Sequence, residues 1–286
     1  MHLTNPWYEL IRFKKNKQKN VKTSTCINYL FEFLRWQKNA YWGPIEKIEG
    51  DETLTAIILN HARVRNIEPI IRSLFKLSFI TKIIVSNNDA QIKIHDWIRI
   101  KDDRLTLLDA PPDTGPFRRD ILAAEEKADY FLFIDDDVFL YPSQIKKLFL
   151  GLLNEPSCPR GIQGQIYLDE FLRRDNLSAK CNNGWVRSKR GVNNKVDVLN
   201  KLYLLTKDHL NEIHRLAKTP EINTFHDDLL ISFSGKSKPY VQNVGKYLNC
   251  LSHLHEDIAI CKTTGSFNSE REKIFIKLRE IKPLVN

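Results

Sequence analysis

The segment Tyr130-Phe131-Leu132-Phe133-Ile134-Asp135-Asp136-Asp137-Val138 constrains the fold more than any other part of the chain. An unbroken aromatic and aliphatic run suits a strand buried on both faces, the condition of strands in a parallel sheet covered by helices. The run is too short to span a bilayer. It ends abruptly in three carboxylates, and open α/β sheets bind ligands beyond the carboxyl ends of such strands. In an extended chain, side chains at i and i+2 point the same way, so Asp135 and Asp137 converge while Asp136 points elsewhere. Two hard oxygen donors on one side make half of a Mg²⁺ or Mn²⁺ site of the kind that shares its ion with a phosphate. The plainer alternative is a strand that runs into a solvated acidic turn. Three like charges after a buried strand repel one another, however, unless a cation neutralises them.

The flanking pattern extends the same architecture. Thr55–Leu59 and Lys82–Ser86 read as buried strands, and Leu105–Leu108 as a third, ended by Pro111-Pro112. Between them, Ile67, Ile70, Ile71, Leu74 and Leu77 recur at helical spacing and predict a helix over Asn66–Leu77, and a second is expected over Pro116–Ala128. This alternation argues for α/β architecture, with a mostly parallel sheet flanked by helices. Farther on, Arg160–Leu168 reads as a strand whose Gly161 and Gly164 allow close backbone approach. Arg173–Val196 reads as a polar loop, Val196–Leu205 as a strand and Lys207–Ala217 as a helix. A short helix over Phe225–Phe233, capped by Thr224, precedes a charged C-terminal helix over Phe267–Ile281, with Ile274, Phe275, Leu278 and Ile281 on one face. One continuous domain over residues 51–286 is the simplest account, with residues 1–50 as an arm packed on or beside it.

The formal net charge of +9 favours polyanionic partners: phosphorylated substrates, anionic lipid headgroups or nucleic acid. Much of the excess sits in Arg12, Lys14, Lys15, Lys17, Lys19 and Lys22, directly before the aromatic-rich stretch Ile27–Trp36. Two readings stay open there. The segment lies peripherally on an anionic membrane, or it is a solvated arm followed by a helix packed on the main domain. The N-terminus lacks the pattern of a signal peptide. The five cysteines have neither paired nor zinc-type spacing, so a cytoplasmic protein with reduced thiols is expected.

Four segments, taken in order, resemble the GT-A-fold glycosyltransferases, with the closest likeness to the exostosin-type N-acetylhexosaminyltransferases and a general one to the family-2 class. Ile57-Ile58-Leu59-Asn60-His61-Ala62-Arg63 resembles the opening strand and the Arg after it; Ile84-Val85-Ser86-Asn87-Asn88 resembles the second strand, ending near the uridine. Arg119 stands where the family has an Arg close to the nucleotide, and Asp135-Asp136-Asp137 matches the DxD motif. The resemblance implies a GT-A, Rossmann-like fold, with nucleotide binding in residues 51–150 and acceptor binding in 151–286. It implies a metal-dependent transfer from a UDP-sugar, an N-acetylhexosamine or hexose donor, to a hydroxyl of a glycan or lipid-linked glycan. Nucleic acid is not an expected partner. Asn60, Arg63, Asn87, Asn88, Arg119, Asp135 and Asp136 are then candidates for the nucleotide sugar, and Asp135, Asp137 and a late histidine, His255 or else His253, for Mn²⁺ or Mg²⁺.

A second acidic cluster, His226-Asp227-Asp228-Leu229, resembles the family's motif at a helix start facing the reacting sugar, with Asp228 the first catalytic candidate and Asp227 the second. An inverting transfer needs a base there; a retaining one needs a carboxylate that stabilises a developing oxocarbenium ion. The alternative is that both acids merely complement a helix dipole. The exostosin-like resemblance implies a retaining transfer, assisted by a late arginine such as Arg271, whose spacing matches no motif of the family. Two rivals remain at this level: an Asp-metal nucleotidyltransferase, which would want a Gly-rich, Lys-bearing loop after the first strand, and a non-catalytic basic protein that binds nucleic acid or membranes.

Overall fold

A computed structural model of the chain describes residues 23–111, 114–167, 184–187, 193–251 and 267–284. Helix α1 (Thr23–Trp42) leads into β1 (Leu54–Asn60), α2 (Val64–Leu74), β2 (Ile80–Asn87), β3 (Leu105–Asp109), α3 (Arg118–Ala124) and β4 (Tyr130–Asp135). Next come β5 (Val138–Phe139), α4 (Pro142–Asn154), β6 (Arg160–Gly161), β7 (Gln163–Ile166), β8 (Gly184–Arg187), β9 (Asn194–Lys195), β10 (Val198–Leu199) and β11 (Leu202–Thr206). The chain closes with α5 (Lys207–Ala217), α6 (Asp227–Ser232), β12 (Tyr240–Val241), β13 (Leu248–Asn249) and α7 (Phe267–Ile281).

Among the described residues the main sheet has eight strands in the order β3-β2-β1-β4-β11-β6-β12-β9. Strands β3, β2, β1 and β4 run parallel, and β11 turns antiparallel against β4. The expected mixed, mostly parallel α/β sheet is therefore the architecture of this chain. β4 lies near its centre, and the two-sided burial read from its sequence has a direct structural form. Leu132 and Ile134 join a core shared with α1, α2 and α4, while Phe131 and Phe133 join one shared with α3, α5, α6 and α7. Each such side chain contributes about 1.5–3 kcal/mol of burial. No helix of the described residues is long and apolar enough to cross a membrane.

Several elements depart from the sequence expectation, and tertiary contacts explain the shifts. The expected helix over Asn66–Leu77 runs over Val64–Leu74, because Leu77 leaves it to make a parallel bridge with Glu46 while staying buried. The helix expected over Pro116–Ala128 is the shorter α3. Arg160–Leu168 divides into β6 and β7, which serve different sheets. Its glycines do allow close approach: a Cβ at Gly161 would stand 2.7 Å from Leu202 O, and one at Gly164 would stand 2.6 Å from Val198 O. Val196–Leu205 likewise divides at Asn200-Lys201 into β10 and β11. The loop expected over Arg173–Val196 holds β8, paired antiparallel with β7, and β9; its remaining residues lie outside those described, apart from Asn193 and Val196. The cap expected of Thr224 falls instead to Asn223, whose side chain accepts the Phe225 N–H ahead of α6. Ile281, expected on the buried face of α7, is exposed.

Of the two readings of the aromatic stretch, the packed helix describes its inner face. Tyr29, Phe33, Trp36 and Ala40 are buried, and Phe33 and Trp36 meet Phe139 with ring centroids 5.1 and 4.8 Å apart. The Trp36 indole N–H donates to Leu140 O at 2.7 Å, and that carbonyl also accepts the Ser73 hydroxyl. Trp36→Ala is expected to cost about 3–5 kcal/mol through the cavity it leaves. Trp36→Phe, which keeps one aromatic ring, leaves a smaller cavity and keeps the carbonyl bonded to Ser73, should cost less, about 1–3 kcal/mol. Urea titrations of the two variants measure the difference.

His209 opens α5 in a reciprocal cap: its backbone N–H donates to Thr206 Oγ1, and its Nδ1 accepts the Thr206 N–H at 3.1 Å. Burial holds the ring neutral and lowers its pKa to about 4. Because the unfolded chain takes up this proton at higher pH, stability is complete above about pH 6.5 and falls as the pH drops towards 4, by roughly 3 kcal/mol. His209→Gln should flatten that part of the stability profile in pH-dependent unfolding.

Candidate active site

The sheet register brings the sequence candidates to one rim. β1 pairs with β4 so that Leu59 stands beside Asp135, and β1 pairs with β2 so that Asn60 stands beside Asn87. The two asparagines are buried and bond each other, Asn60 Nδ2 to Asn87 Oδ1 at 2.7 Å; Asn87 Nδ2 goes on to Asp109 Oδ1 at 2.8 Å. Asn88 donates to Thr114 O. Asn60 and Asn87 thus lock the ends of β1, β2 and β3 together, and Asn88 ties the end of β2 to the segment before α3; all three were expected at the nucleotide.

The acidic triplet separates into three environments. The strand ends at Asp135, and Asp136-Asp137 form a turn before β5, so simple i, i+2 alternation is not what orients the two outer acids. Asp136 causes the departure. Its carboxylate accepts the N–H groups of His61 and Ala62 at 3.0 and 3.4 Å and pairs with Arg63 Nη1 at 2.8 Å, while its carbonyl accepts Asn66 Nδ2. Asp136 and Arg63, both expected at the nucleotide, thus engage each other to close the turn after β1.

Asp135 accepts Arg119 Nη1 at 2.9 Å, and Asp137 accepts Lys201 Nζ at 2.7 Å. Lys201 embraces the turn from both ends, because its carbonyl also accepts the Asp135 N–H at 2.9 Å. It holds a left-handed backbone, φ 73°, in the tight connection from β10 to β11. A lysine at positive φ is uncommon, so this turn favours glycine or asparagine on steric grounds. Sequence reading missed Lys201; the Asn200-Lys201 pair inside an otherwise apolar run was the available signal.

Arg119 joins the two acidic clusters. From the first turn of α3 it donates through Nε to Asp227 Oδ2 at 2.6 Å and through Nη1 to Asp135, and its guanidinium lies 4.7 Å from the Tyr203 ring. Asp228, the neighbouring acid, bonds Arg271 Nη1 at 2.5 Å and Asn200 Nδ2 at 3.2 Å. The Asp228 side chain is 15% exposed and that of Asp227 only 4%, so Asp228 is the one nearer to solvent. Arg271 comes from α7, far along the chain, and lies directly on the catalytic candidate.

Among the described residues, carboxyl groups outnumber cationic side chains here. Asp120, Asp135, Asp136, Asp137, Asp227 and Asp228 face Arg63, Arg119, Lys201 and Arg271. Among the described residues neither carboxyl oxygen of the buried Asp120 has a hydrogen-bond partner, and burial, with Asp227 adding, pushes its pKa far above the usual range against the opposing Arg119. Burial also raises Asp227, opposed by Arg119, and lifts Asp135 to about 7, opposed by Arg119 and assisted by Asp137. An excess of carboxyls at a strand end, with the Asp135 side chain still 35% exposed, suits a divalent cation. Among the described residues no three His, Cys, Asp or Glu side chains form a closed ligand set, so most ligands would come from substrate and water, as is usual for Mg²⁺. His253 and His255 lie outside the described residues, which reach Leu251; the Cys250 N–H donates to Asp137 O at 2.7 Å.

No family model and no curated protein sequence matches the chain. Among solved structures it is similar to GalNAc-T7 with UDP, GalNAc and Mn²⁺, at a TM-score of 0.49 and 10% identity over 71% of this chain and 44% of that one. It is similar to S. aureus TarS 1-349 at a TM-score of 0.46 and 12% identity, over 79% and 71% of the two chains. The same TarS segment in complex with UDP gives a TM-score of 0.45 and 15% identity, over 68% and 59%. The chain therefore spans less than half the length of the GalNAc-T7 chain.

Arg119→Met would leave Asp135, Asp227 and Asp120 without their shared cation, and is expected to cost about 3–5 kcal/mol. Adding Asp227→Asn should return part of that loss. A double-mutant cycle from denaturant unfolding measures the coupling, and additive effects would refute it.

Proposed function

We propose that this chain is a GT-A-type glycosyltransferase that moves a sugar from a UDP-sugar, an N-acetylhexosamine or hexose donor, to a hydroxyl of a glycan or lipid-linked glycan, with Mn²⁺ or Mg²⁺. The observation that carries this reading is the junction at Arg119, which holds the acid at the end of the central strand and the acid that opens α6 on one guanidinium. A transferase needs that juxtaposition: a site for the departing diphosphate beside a carboxylate for the reacting sugar.

Asp135 and Asp137 are the residues that would hold the metal, which as a Lewis acid supplies charge for the leaving diphosphate. Everything else falls to the chain's own groups. Lys201 and Arg119 set the direction of the two acids through bonds of 2.7 and 2.9 Å and bring fixed positive charge to the rim. Arg271 and Asn200 take one oxygen each of Asp228 and so fix its plane. In an inverting transfer Asp228 accepts the acceptor hydroxyl proton; in a retaining one, which the exostosin-like resemblance implies, it faces the anomeric carbon and stabilises positive charge there. The buried Asp227 orients Arg119. A nucleotidyltransferase is less well supported: the turn after β1 has no glycine, and the amides of His61 and Ala62, which would have to cradle a phosphate, already bond Asp136. A cytoplasmic setting, in which the cysteines stay reduced, goes with the proposal.

A donor screen that follows UDP release and sugar transfer tests this reading. Transfer should require Mn²⁺ or Mg²⁺, stop with EDTA, and fall by about 100-fold or more in Asp137→Ala. Asp228→Ala should keep UDP affinity within about threefold while losing transfer by a factor of about 100 or more. Metal-independent transfer that survives Asp137→Ala would remove the metal role, and unchanged turnover of Asp228→Ala would remove the catalytic one.

A further inference from the structure

Helix α1 has two apolar faces, and the core uses only one. Tyr29, Phe33, Trp36 and Ala40 point inward. Ile27, Phe31, Leu34 and Trp42 are exposed, Phe31 at 67% and Trp42 at 77%, and Ile45 continues the exposed surface just past the helix. At 100° per residue these side chains and Lys38 form one stripe along the helix, opposite the buried face. Single exposed apolar residues need no explanation, whereas an aligned series with two large aromatics marks an interaction surface.

The charge around the stripe selects the partner. Lys38 lies within it and Arg35 at its edge, both exposed. The acid beside it, Glu32, is bonded to Lys246 at 2.8 Å. The sequence that enters the helix carries Arg12, Lys14, Lys15, Lys17, Lys19 and Lys22. An apolar stripe with large aromatics, bordered by lysine and arginine, has the chemistry of a helix that lies in the headgroup region of an anionic bilayer. A protein partner would need an acidic rim to match.

We propose that the outer face of α1 docks this protein peripherally on anionic membrane. The proposal goes beyond the transferase reading and does not depend on it; if both hold, the enzyme works on an acceptor at a lipid surface.

Co-sedimentation of the full chain with vesicles of phosphatidylcholine alone, or with phosphatidylglycerol added, tests it. The wild type should pellet with the anionic vesicles, bind about tenfold more weakly to the neutral ones, and be released by high salt. Phe31→Ser/Trp42→Ser removes exposed apolar area without touching the core, so circular dichroism and UDP affinity should not change, while vesicle binding falls about tenfold or more. Lys38→Gln/Arg35→Gln should weaken binding only to anionic vesicles. Failure of the wild type to pellet, equal binding to both vesicle types, or binding indifferent to Phe31→Ser/Trp42→Ser would each overturn the proposal. A dimer in light scattering that this double variant dissociates would assign the stripe to a second copy and overturn it as well. Loss of vesicle binding with intact sugar transfer, or the reverse, separates this proposal from the transferase reading.

Discussion

The guanidinium of Arg119 is the interaction on which the site depends. It is buried between Asp135, at the end of the central strand, and Asp227, at the start of α6, with Tyr203 against its face. The first acid belongs to the parallel half of the sheet and the second to the part of the chain that returns after β11. One side chain therefore couples two halves of the fold, and it does so in a buried setting where leaving either acid unpaired is costly. Arginine suits this position because its planar fork presents separate donors to each carboxylate.

The same neighbourhood concentrates more acid than the fold neutralises. Asp136 is satisfied by Arg63 and two backbone amides, and Asp228 by Arg271 and Asn200. Asp120, Asp135 and Asp227 share what Arg119 provides, and burial raises the pKa of each. Groups tuned in this way belong more often to binding and catalysis than to stability. Lys201 adds a further constraint, since any cation that binds Asp137 must share that carboxylate with an ammonium 2.7 Å away.

Core and surface divide the work of α1 in a comparable way. Its aromatic inner face closes the sheet beside Phe139, while its outer stripe and basic surroundings are free for a lipid surface. On the proposed reading, a helix that is part of the core would also fix the orientation of the active rim relative to a membrane.

Much of this was legible in the chain. Tyr130–Ile134 has to be buried on both sides, because no alternation of polar and apolar residues offers a solvent face, and a strand of that kind implies a covered parallel sheet with its acids at the ligand-binding end. The α5 and α7 boundaries were also readable, since apolar spacing is local. What only the tertiary structure decided is which charge meets which. Arg119 reaches Asp227 across 108 positions, Lys201 reaches Asp137 across 64 and Arg271 reaches Asp228 across 43. Apolar periodicity and capping act over a few residues and leave a trace in sequence. Pairing of buried charges is set by where separate elements come to rest, so the division of the acidic triplet into one inward anchor and two rim carboxylates appears only in the folded chain.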